Sequence, residues 1–93
     1  MTEISEMTNE KINEACALEV VEYKKGVLNG LYTYFTKLFS IPVCPVSYWN
    51  PTENKNDTDI VLDAICAGAT EDTPLRERCE YALNIVREKH KKG

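Results

Sequence analysis

Hydrophobic residues recur at three- and four-residue spacing along most of the chain, the periodicity of amphipathic helix. Ile12, Cys16, Val20, Tyr23 and Val27 make one apolar stripe, which predicts a helix from about Thr8 to Lys25. Thr8 or Asn9 can cap it and Glu10 suits its first turn. Lys24-Lys25-Gly26 reads as its end: cations near the last carbonyls, then a glycine free to turn left-handed. Leu28, Leu31, Tyr32, Phe35, Leu38 and Phe39 share a second helical face, which predicts helix from about Asn29 to Ser40, stopped before Pro42.

A different period competes in this stretch. Asn29-Gly30 is a strong two-residue hairpin signal, and Val20, Val21, Tyr23, Tyr32, Thr33 and Tyr34 all suit strands. The apolar spacing persists over three turns, so helix is preferred and a hairpin over residues 20–36 is the alternative. One long helix running through Gly26 and Gly30 is a third reading, at about 1 kcal/mol per glycine relative to alanine.

Pro42, Pro45 and Pro51 argue against regular structure over residues 41–57, which read as extended backbone followed by a polar turn. Asp57 or Thr58 then caps a short helix from about Asp59 to Ala67, with Val61, Leu62, Ile65 and Cys66 inward and Gly68 as its stop. Thr73-Pro74 opens a last helix reaching about Lys91, with Leu75, Cys79, Ala82, Leu83, Val86 and His90 as its buried stripe. The expected architecture is a single domain over residues 1–93, mainly α: a small bundle of about four helices with a proline-rich loop packed over it. An α+β domain containing the 20–36 hairpin is the runner-up.

Charge sharpens this picture. Residues 1–26 hold six acids and three bases, and residues 53–93 hold nine acids and seven bases. Residues 27–52 hold one charge, Lys37, together with six of the eight aromatics and three of the four prolines. The net charge of -4 argues against general nucleic-acid binding, which draws on a basic footprint. No run of 18 or more apolar residues is present to cross a membrane, and the acidic N-terminal stretch is unlike a secretory signal, so a cytoplasmic protein is expected. Cys16, Cys44, Cys66 and Cys79 are then expected to be reduced and mostly buried.

Candidate chemistry is sparse. No Cys-x-x-Cys pair occurs and His90 is the single histidine, so no metal ligand set stands out. Cys44-Pro45 as a haem thiolate, Cys44 with His90 as a nucleophile and base, and Pro42-Val43-Cys44-Pro45 as a PxxP ligand each rest on a two-residue or unflanked match. Asp57, Asp59 and Asp63 lack the spacing and the glycine of a calcium loop, and no glycine-rich phosphate loop exists. The expectation is therefore a non-enzymatic protein without cofactor or metal.

The charge-poor, aromatic-rich zone carries the functional expectation: a small interaction module of the inhibitor, adaptor or immunity type, binding another protein or itself as a homo-oligomer. Tyr34, Tyr48 and Trp49 are the expected contact residues, with Glu10, Glu14 and Glu22 adding selectivity for a basic partner. The alternative is an oligomer that binds a nucleotide-like small ligand, with Lys24, Lys25 and Lys37, or Arg76 and Arg78, on its phosphates.

Overall fold

A computed structural model describes residues 3–67 and 73–92. After a single 3-10 turn, Ile4–Glu6, helix α1 spans Asn9–Ala15 and begins at Thr8, whose hydroxyl accepts from the Lys11 N–H at 3.3 Å. It continues into a π-helical turn, Cys16–Val20, in which the Val21 N–H donates to the Cys16 carbonyl at 3.0 Å. Glu22 then takes a left-handed conformation (φ 65°), and the Tyr23 N–H closes back onto the Ala17 carbonyl at 2.8 Å. The helix therefore ends before Lys24 and Lys25, which open a strand.

Strands β1 (Lys24–Leu28) and β2 (Leu31–Phe35) form an antiparallel hairpin, and β3 (Pro42–Pro45) adds to β2, giving the order β1-β2-β3. Asn29 (φ 53°) and Gly30 (φ 82°) are both left-handed, the requirement of the type I′ turn whose twist matches the flanking strands. The expected helix over Asn29 to Ser40 is corrected: its first half is β2 and its second half the β2–β3 connection. The cause is two-sided apolarity. Leu31 and Phe35 on one face of β2 and Tyr32 and Tyr34 on the other leave Thr33 as the one polar position, so the segment matches a helical period as readily as a strand.

Residues expected to be irregular are partly regular, since Pro42 and Pro45 bound β3 and Val46–Tyr48 form a 3-10 turn. Helix α2 (Lys55–Ala64) starts four residues before the expected Asp59, because the Asn54 side chain caps it by accepting from Asn56 and Asp57 N–H groups at 2.9 and 3.3 Å. Cys66, at φ 57°, lies just past its end, while the expected stop at Gly68 lies outside the described residues. Helix α3 spans Leu75–Lys92. Among the described residues the fold is thus α+β, with three helices and a three-stranded sheet, and neither the mainly α four-helix bundle nor an all-α class holds.

The core lies between the helices and the inner face of the sheet. Ile12, Cys16 and Val20 from α1 and its π turn meet Val61 of α2, Cys79, Ala82 and Leu83 of α3, and Tyr34 of β2. Several positions of the expected apolar faces fall outside it: Val27 sits on the exposed hairpin, Leu28, Leu31, Tyr32, Leu38 and Phe39 are exposed, Cys66 is exposed past the end of α2, and His90 is exposed near the end of α3.

Candidate interaction surface

The aromatic residues divide into two groups. Tyr34 (1% exposed) and Trp49 (3% exposed) are core residues, which corrects their expected place on the surface. The Trp49 ring stands edge-on to Tyr23 (5.6 Å, 76°) and to Tyr34 (6.3 Å, 75°), and its indole N–H donates to the Asn13 carbonyl at 2.7 Å. The Asn13 side chain accepts from the Thr52 N–H at 3.1 Å and donates to Asn50 Oδ1 at 2.9 Å, so α1 holds down the chain that leads from the sheet to α2. Of the three expected aromatic contacts, only Tyr48 is exposed.

The solvent-facing apolar residues lie elsewhere on the same zone. Strand register assigns them to faces: Lys25, Val27, Tyr32, Tyr34 and Cys44 point to the helix side, while Lys24, Gly26, Leu28, Leu31, Thr33 and Phe35 point to the outer side. On the outer side Leu28 and Leu31 form an exposed pair beside the turn, and the Phe35 ring lies over Gly26, so that a Cβ there would sit 2.8 Å from the ring. Val43 extends this face along β3, where a bulge between Tyr34 and Phe35 shifts the register. On the helix side, Val27 and Tyr32 project past the cover of α1 and are exposed. At the other end of the sheet, Leu38, Phe39 and Ile41 are exposed on the β2–β3 loop, where Leu38 and Phe39 border a hollow of about 440 Å3 beside Val21 and Glu22.

Charges rim this surface in pairs. Lys25 meets Glu14 at 3.6 Å and lies 5.1 Å from the centre of the Tyr32 ring, and Lys37 meets Glu22 at 3.5 Å. The acids expected to greet a basic partner and the lysines expected to hold phosphate thus largely neutralise each other. Lys24 donates to the Ser40 hydroxyl at 2.6 Å. Glu10 is exposed in the first turn of α1, apart from this rim.

The two arginines are structural. Arg76 bonds the Asn9 side chain and the Met7 carbonyl and pairs with Glu80 at 3.6 Å, which fastens the N-terminal segment to α3. Arg78 is buried and donates to the Thr73 carbonyl at 2.8 Å. No expected phosphate cluster is assembled among the described residues.

An open groove of about 1090 Å3 runs between the N-terminal segment, α1 and α3, lined by Ile4, Met7, Lys11, Glu19, Arg87 and His90 among others. Arg87 and Glu19 form a two-pronged pair across it, both contacts at 3.0 Å, and the Glu19 carboxylate raises the Arg87 pKa further. Cys44 lies in β3 opposite Tyr34, so the structure does not bring it to His90. Burial, with the nearby Asp57 charge, raises the Cys44 pKa above its ordinary value, which opposes thiolate chemistry. All four cysteines are free thiols, with Cys16 and Cys79 buried, Cys44 half-buried and Cys66 exposed. Cys16 and Cys79 meet in the core, and their hydrogen bond together with burial holds the Cys16 thiol protonated. Among the described residues no three His, Cys, Asp or Glu side chains converge as a metal set, and no helix is long and apolar enough to cross a membrane.

Compared with protein-family models, with curated proteins and with solved structures, the chain gives no match.

Sequence reasoning missed Val27, Leu28, Leu31, Leu38, Phe39, Ile41 and Val43 as surface residues. The signal was present in the hairpin alternative. A strand pair apolar on both faces leaves apolar residues exposed wherever no other element covers it.

Proposed function

We propose that this protein is a small, non-enzymatic interaction module that binds a protein partner through the exposed apolar residues of its three-stranded sheet and β2–β3 loop. One observation carries the reading. Among the described residues, nine of the twelve exposed large hydrophobic residues fall between Val27 and Tyr48, in the zone whose one charge is Lys37. Exposed apolar residues gathered in one charge-poor zone mark an interaction site more often than singly scattered ones do. The four unbridged cysteines and the absence, among the described residues, of a spanning helix support a cytosolic setting. The inhibitor and adaptor classes fit a rigid sheet with a charge-neutral face, where specificity comes from shape and the ion-paired rim from orientation.

The test is affinity capture from the cells that make the protein, with wild type, Leu31→Lys and Phe39→Lys as baits. Both residues are well exposed, so a charge there leaves the fold intact. The expected result is loss of the captured proteins by roughly tenfold or more with either variant. An unchanged set of proteins with both variants overturns the reading.

A further inference from the structure

Cys16 and Cys79 bring two nucleophilic groups together in the core from positions 63 residues apart. Both are fully buried, Cys16 as the first residue of the π turn that continues α1 and Cys79 within α3. Cys16 Sγ lies 3.9 Å from the Cys79 carbonyl oxygen, and the two thiols hydrogen-bond to each other. The interaction reading uses neither residue. We infer that Cys16 and Cys79 form a reversible dithiol–disulfide pair, in which a peroxide oxidant ties the π turn of α1 covalently to α3.

The other two cysteines are placed differently. Cys44 lies opposite Tyr34 in the sheet, and Cys66 is exposed past the end of α2. A disulfide holds its sulfurs about 2.05 Å apart. Two thiols already in hydrogen-bond contact reach that separation through a small approach of the π turn to α3. A π turn inserts an extra residue into the helical ladder, a feature that concentrates at functional sites, and here it begins at Cys16 itself.

The two sulfurs have different roles. Cys16 is the donor, and its hydrogen bond to Cys79 together with burial holds its thiol protonated. Cys79 is the acceptor, and the bond it receives from Cys16 lowers its pKa against the opposing effect of burial. A buried cysteine without such a partner is inert. Cys79 therefore attacks first, as the thiolate. Its sulfur takes one oxygen from hydrogen peroxide, the O–O bond breaks, and the departing hydroxide takes up the proton of the Cys79 thiol as water, which leaves a sulfenic acid on Cys79. The Cys16 sulfur then attacks the Cys79 sulfur, the S–O bond breaks, and the hydroxyl leaves with the Cys16 proton as a second water. Together the two thiols give up two electrons and two protons, and one peroxide becomes two waters. A thiol reductant reverses the change by exchange.

The bond joins the first long helix to the last and closes a loop that contains the sheet and α2. Cross-links that close long loops restrict the unfolded chain most, so the oxidised protein is the more stable form.

The test is to treat the folded protein with hydrogen peroxide, block the remaining thiols, and map tryptic peptides without reductant. Wild type and a Cys44→Ser/Cys66→Ser double variant are compared. Both are expected to yield residues 12–24 joined to residues 79–87, lighter by two hydrogens than the separate peptides. The thermal midpoint is expected to rise by about 10 °C and to return when dithiothreitol is added. Cys16→Ala is expected to show neither effect, and because that substitution lies in the core, the wild-type map decides the test by itself. Free thiols at Cys16 and Cys79 after treatment overturn the inference. So does oxidation of Cys79 to a sulfinic acid with Cys16 unchanged, or a bond from either residue to Cys44 or Cys66. A bond between Cys16 and Cys79 that leaves the thermal midpoint unchanged or lower overturns it as well.

Discussion

Gly26 marks where the outer face closes on itself. It faces Thr33 across the hairpin and lies under the Phe35 ring, with no room for a methyl group. Gly26→Ala is expected to displace that ring and lower stability by about 1 kcal/mol, the lower end of overpacking costs because the ring is half-exposed and can move. In a Phe35→Ala background the same change should stabilise, since alanine restricts the unfolded chain more than glycine does. Urea denaturation of the four proteins in this cycle checks the reversal of sign. An equal cost in both backgrounds would show that the ring contact is not the reason for glycine.

At the scale of elements, the most informative boundary is the end of α1. The helix stops through a π turn and a glutamate in the left-handed region, where most helices place glycine. A non-glycine residue there costs about 1 kcal/mol. Glu22 also meets Lys37 at 3.5 Å, and an exposed pair of this kind contributes about 0–1 kcal/mol. Glu22→Gly made in a Lys37→Ala background, where the pair is already absent, is expected to raise stability by about 1 kcal/mol. A fall in the thermal midpoint in that background would show that the Glu22 side chain does more than pair with Lys37. The same boundary explains why the helical stripe of the sequence overran. Val20, Tyr23 and Val27 keep a helical spacing, yet Val20 closes the π turn, Tyr23 turns into the aromatic cluster and Val27 joins a strand. Local periodicity cannot register a left-handed residue at Glu22, because nothing in the side-chain pattern announces it.

For the whole molecule, the aromatic cluster that joins sheet to helices makes stability depend on alkaline pH. Burial pushes the Tyr34 phenol up to about 12 and raises Tyr23 as well. An unfolded tyrosine ionises near pH ~10. Below that value both states hold the proton and these groups add no pH dependence. Between about 10 and 12 the unfolded chain loses protons that the folded chain keeps, so stability falls as pH rises. Denaturant melts at about pH 9, 10 and 11 should show this decline, and Tyr34→Phe should reduce it. A flat profile would mean that the Tyr34 hydroxyl is solvated in the folded protein.

Several features were determined by sequence alone, because they depend on local chemistry. Thr8 caps α1, the stripes Ile12-Cys16-Val20 and Cys79-Ala82-Leu83 face the core, and Asn29-Gly30 carries a complete turn instruction. The charge-poor zone was visible as well, and it is the zone that holds the exposed apolar surface. Tertiary structure decided the rest. Leu31 to Phe35 is apolar on both sides, so its own pattern satisfies helix and strand alike, and pairing with β1 and β3 settled the choice. Which aromatics are buried followed from that pairing. Tyr34 points inward because its strand register puts it there, and Trp49 is inside because its indole reaches the Asn13 carbonyl from a segment 36 residues away. A contact over that separation leaves no trace in a local window. Composition could therefore mark the charge-poor, aromatic-rich zone, but only the packed sheet assigns Leu31 and Phe39 to the surface and Tyr34 and Trp49 to the core.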